Sequence, residues 1–184
     1  MSLEATPVVP HLAAEFYTWI WWTSETKDGL FSFSGEVGDV ELWVDERLAF
    51  RNPEEARVSA VMTGENPSTA LESRAALLGG KVLQELRIGF RRDDREYFVT
   101  LKGPSIEIAQ AKTPSLEGEQ DDAQIFDRMF VYEELNLVLG ALFNQFATIR
   151  ASDDWNAQVI PALRSWIKGD ELESELTDAL IEIE

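Results

Sequence analysis

The chain has 184 residues, 45% of them hydrophobic and 27% charged, enough for one globular domain with a real core. Thirty-four acids against 16 bases give a net charge of −18, a long-range field that repels polyanions. With no cysteine and one histidine, disulfides, thiol nucleophiles, thiolate metal sites and a histidine-built zinc site are excluded.

Residues 1–10 contain Pro7 and Pro10 and are expected to form a flexible arm. His11–Trp22 is expected to be a short helix or a helix-to-strand transition. Its Phe16, Tyr17, Trp19, Ile20, Trp21 and Trp22 are too evenly spread for one face, which implies burial by several neighbours. An aromatic platform for nucleic-acid bases is the other use of such a cluster, but no basic residue interleaves with it. Beyond Thr23–Gly29 the apolar period shortens from helical to alternating. Leu30–Phe33 predicts a strand, Gly35–Gly38 a turn and Val40–Val44 a second strand. Asp45-Glu46-Arg47 is expected to turn the chain, with Leu48 and Phe50 starting a return strand and Val58–Met62 extending the meander.

Thr69 and Glu72 stand at capping-box spacing and open a helix that stops at Gly79-Gly80. The clearest hairpin follows. Leu86, Ile88 and Phe90 alternate with Arg87, Gly89 and Arg91, and Arg92–Arg95 makes the turn. Tyr97, Val99 and Leu101 line the return strand. Ile106 and Ile108 suggest one more strand, and Thr113–Gln120 a loop. Asp121–Arg150 then predicts one helix of about 45 Å, with apolar residues from Ile125 to Ile149 on one broad face. A rod so long must lie across a sheet, other helices or a second subunit. Ser152, Asp153 and Asp154 start a further helix, which Pro161 kinks or restarts and Gly169 ends.

The expected fold is α+β: an antiparallel sheet of about six or seven strands packed against the long helix and its flanking helices. Residues 11–168 form the single domain. Residues 169–184 form an acidic amphipathic tail whose Leu172, Leu176, Leu180 and Ile183 keep helical spacing and offer a partner-binding stripe. No apolar run suits a bilayer and no leader-type start is present, so no membrane contact and a cytoplasmic location are expected.

Little in the chain points to catalysis. Phosphate and dinucleotide loops are absent, and His11 alone would have to serve any nucleophile relay. Asp39 and Glu41 share a strand face and would be the start of a magnesium site, but 34 acids guarantee such pairs. No catalytic residue, metal or cofactor is assigned. The sharper signal is the strip Lys81–Lys102, where six bases face four acids. Arg87, Arg91, Arg92, Arg95 and Lys102 are the candidate phosphate contacts there.

The order of elements resembles a known family. The helix Phe16-Tyr17-Thr18-Trp19-Ile20-Trp21-Trp22 with Ser24-Glu25 comes first, then Glu41-Leu42-Trp43-Val44-Asp45. The hairpin Leu86-Arg87-Ile88 with Tyr97-Phe98-Val99-Thr100-Leu101 follows. Next are Asp127-Arg128-Met129-Phe130, Glu133-Glu134-Leu135, Leu142-Phe143 and Phe146, and last Ser152 and Trp155. Over residues 11–168 this resembles the C-terminal half of the recombination-associated RdgC family, with the N-terminal half missing. The resemblance implies a non-enzymatic oligomer that associates with double-stranded DNA irrespective of sequence, in recombination or at the nucleoid. A homo-oligomeric or hetero-oligomeric surface is expected to carry that role; the competing expectation is an acidic interaction module or assembly subunit that binds a basic protein without touching DNA.

Overall fold

A computed structural model describes residues 10–53, 58–64, 71–115 and 121–169. Its architecture is α+β, with a six-stranded antiparallel sheet. Helix α1 spans Pro10–Thr26, followed by β1 (Leu30–Ser32), β2 (Asp39–Arg51), β3 (Val58–Thr63) and α2 (Leu71–Leu78). The chain continues through β4 (Val82–Arg92), β5 (Arg95–Lys102), β6 (Glu107–Lys112) and α3 (Asp121–Ala151). A π-helical turn at Trp155–Val159 leads into α4 (Ile160–Lys168).

Strand order is β1-β2-β4-β5-β6, and β3 shares with β1 the edge of β2 that faces away from β4. Alternation assigns the two faces. Leu42, Val44, Leu86, Ile88, Phe90, Tyr97, Val99 and Leu101 point inward, at 8% exposure or less. Against them pack Phe16, Trp19, Ile20 and Trp21 of α1 and Leu135, Val138, Leu142 and Phe146 of α3. The rings interlock: Phe16 meets Phe146 at 5.2 Å, and Phe146 meets Trp155 edge-on at 5.6 Å. The evenly apolar α1 is thus a core helix.

Three boundaries differ from the sequence expectation. Helix α1 starts at Pro10, a residue whose missing N–H costs nothing in a first turn, and runs on to Thr26. Ser24 Oγ and Thr26 Oγ1 donate back to the carbonyls of Trp21 and Trp22, which keeps this polar end helical. Asp45-Glu46-Arg47 does not reverse the chain; β2 is continuous. Val44 pairs with Ile88 and Leu48 with Leu86, so three residues bulge opposite Arg87. The polar triplet is tolerated in mid-strand because its side chains find partners across the sheet, Asp45 with Arg87 and Arg47 with Glu85. Finally, of Ile106 and Ile108 only Ile108 lies in a strand: Ile106 sits in the preceding turn at φ 57°, and β6 runs from Glu107 to Lys112 as an exposed edge. The Thr69 cap, the arm residues 1–9 and the tail from Asp170 lie outside the described residues.

Candidate functional site

The inward face is closed by helices, while among the described residues no helix covers the outward face. Its chemistry comes from three neighbouring strands. Strand β2 contributes Glu41, Trp43 and Asp45, β4 contributes Glu85, Arg87, Gly89 and Arg91, and β5 contributes Glu96, Phe98 and Lys102. Trp43 pairs with Gly89, and Gly89 with Phe98, so the two aromatics flank a glycine. A Cβ on Gly89 would stand 2.4 Å from the Trp43 ring, so glycine there is what lets the indole lie flat across β4. Trp43 and Phe98 meet edge-on at 6.0 Å.

Cations sit over this pair. Arg91 lies 5.9 Å from the Trp43 ring, Arg87 5.8 Å and Lys112 5.5 Å from the Phe98 ring. Each arginine also meets acids: Arg87 with Asp45 at 2.6 Å, Arg91 with Glu41 at 3.1 Å and with Glu96. Lys102 is 3.9 Å from Glu85, which it shares with Arg47. The outcome is an aromatic centre ringed by ion pairs of alternating sign. Beside Arg87 a shallow polar hollow is lined by Glu46, Arg47, Thr63 and Gln110.

The five candidate phosphate contacts therefore divide. Arg87, Arg91 and Lys102 share the uncovered face. Arg92 and Arg95, at the hairpin tip, turn to the other side, where each places a guanidinium nitrogen 3.0 Å from Glu134 of α3. The Glu134 side chain is only 2% exposed and also accepts the Tyr97 hydroxyl. Burial first, and the bond to Glu134 second, push the Tyr97 phenol above its ordinary value. Arg92 and Arg95 thereby fasten the hairpin to the long helix. Adjacent like charges in sequence concealed this split, because a tight turn sends flanking residues of one strand pair to the same face.

Asp39 and Glu41 are both exposed, and Glu41 is engaged by Arg91. Among the described residues no three histidine or acidic side chains converge as a metal-binding group would. The stripe Leu172, Leu176, Leu180 and Ile183 lies outside the described residues. Among the described residues no helix is long and apolar enough to cross a membrane. Sequence reading passed over Trp43, Phe98 and Gly89; a glycine in mid-strand between two aromatics was the available signal.

No protein-family model matches this chain, no curated protein matches it, and no solved structure matches it.

Proposed function

We propose that the protein is a non-enzymatic, oligomeric, RdgC-like protein that associates with double-stranded DNA through the uncovered sheet face. The supporting observation is the grouping of Arg87, Arg91 and Lys112 around the Trp43–Phe98 pair, with Lys102 further along the same face, on a surface that no helix covers among the described residues. Exposed ion pairs of this kind are screened by solvent and contribute little, so a phosphate oxygen can replace Glu41 or Glu96 at Arg91 at little cost. Such contacts follow the backbone and read no sequence. The neighbouring acids keep the affinity low.

Retention of duplex DNA of arbitrary sequence should be measurable at low salt and fall sharply as salt rises. Arg87→Ala with Arg91→Ala should abolish it. Absence of low-salt retention in the intact chain contradicts the reading.

One observation favours a second reading. Every candidate cation already faces a carboxylate of its own chain, and the whole molecule carries −18. That field suits a basic protein partner. Under this reading a lysine-rich peptide binds in place of DNA, and removing residues 170–184 weakens that binding while the fold is kept.

A further inference from the structure

The first turns of α3 hold five large apolar side chains in solvent. Phe126 is 71% exposed, Met129 62%, Ile125 and Tyr132 53% and Phe130 52%. Single exposed apolar residues are ordinary, but a contiguous set marks a contact surface. At about 150–250 Å² for a large side chain, they present roughly 600 Å², close to the roughly 800 Å² one partner gives to a standard interface.

The spacing identifies the occupant. Met129, Tyr132, Asn136, Gly140 and Phe143 follow one another at intervals of three and four, symmetric about Asn136, a stripe that aligns one helix with another. This seam is separate from the row Leu135, Val138, Leu142 and Phe146 that enters the core. Its N-terminal half is raised and its C-terminal half is hollow. There Leu139, Gly140 and Phe143, with Ile106 and Ile108, line an open apolar cleft of about 370 Å³. A Cβ at Gly140 would meet nothing within 4 Å. Projection and hollow on one helix face make a surface complementary to itself under a two-fold axis.

We infer that this face is a homodimer interface in which α3 pairs antiparallel with α3 of a second copy, about an axis at Asn136. That axis sets Tyr132 opposite Gly140 and Met129 opposite Phe143, bulk against hollow. Asn136 meets its own equivalent, and an amide is both donor and acceptor, so the pair fixes the register. The chain's own tail is a poorer occupant, because its seven acids and no base would lie beside Asp127 and Glu133. The pairing holds whether or not the sheet face binds DNA. The two respond oppositely to salt, since salt screens the repulsion between two copies of charge −18 but displaces a polyanion.

Sedimentation of the full chain at high micromolar concentration should give a dimer that tightens with salt. Met129→Asp with Tyr132→Asp should weaken association by roughly 100-fold or more, with unchanged circular dichroism. Because the chain has no cysteine, Tyr132→Cys with Gly140→Cys should yield a covalent dimer on oxidation, while neither change alone does so. The cysteine pair decides the matter even if the aspartate pair fails to fold. A monomer at every concentration, a dimer indifferent to the aspartates, or cross-linking through Tyr132→Cys alone overturns the inference. Duplex retention, measured separately, is untouched by any of these outcomes.

Discussion

Glu134 shows how one side chain can tie a helix to a sheet. Its carboxylate is buried, and Arg92, Arg95 and Tyr97 surround it. Removing the buried carboxylate strips Arg92, Arg95 and Tyr97 of the acceptor they share, at a cost of about 3 kcal/mol. Glu134→Ala should therefore lower the free energy of unfolding by that much, read as a lower urea midpoint with little change in the slope of the transition. Tyr97 adds a pH dependence. Its folded phenol holds its proton to a higher pH than the unfolded one, whose ordinary value is about 10. The stabilisation is full below that pH and is lost as pH rises through the folded value. Tyr97→Phe should remove this part of the alkaline loss, leaving the part due to Tyr17, which burial raises likewise. Gly89 makes the opposite point, since its contribution is absence of bulk. Gly89→Ala should displace the Trp43 ring and cost about 1–3 kcal/mol in urea unfolding.

At the scale of elements, helices were more legible than strand connections. The rod expected at Asp121–Arg150 is α3, Asp121–Ala151, because thirty residues without proline and with helical periodicity admit no other regular structure. Likewise the hairpin around Asp93-Asp94 was evident, and Asp93 at φ 52° supplies the left-handed turn residue that a short loop needs. The β2 bulge was not legible. A polar triplet ends a strand when water is its only partner, and Asp45 and Arg47 have Arg87 and Glu85 instead, residues some forty positions away. The same blindness to distant partners hid Glu25. One of its carboxylate oxygens accepts from Trp21 and the other from Trp166 and Arg74, joining α1, α4 and α2. Glu25→Ala should cost about 2 kcal/mol in the same assay, since charge-assisted bonds at a partly buried site are lost together.

For the whole molecule, the uneven charge matters more than its total. A net −18 repels DNA at long range, so the proposed association would start slowly and be confined to the sheet face that carries Arg87, Arg91, Lys102 and Lys112. The sequence revealed the basic strip but not which of its members share a face, because that depends on the hairpin register and on a carboxylate of α3. The uncovered aromatic pair was invisible for a related reason: strand alternation marks Trp43 as outward without showing whether anything packs over it. These features make the sheet face, and neither the helical side nor the hairpin tip, the place where DNA contact is expected.

The most direct measurement follows the indole N–H resonance of Trp43, assigned through Trp43→Phe, during titration with a short duplex at low salt. The account predicts that this resonance moves together with the side-chain Nε–H signals of Arg87 and Arg91, and returns when salt is raised, while Trp21 and Trp166 stay in place. A duplex that leaves Trp43, Arg87 and Arg91 unmoved would contradict it.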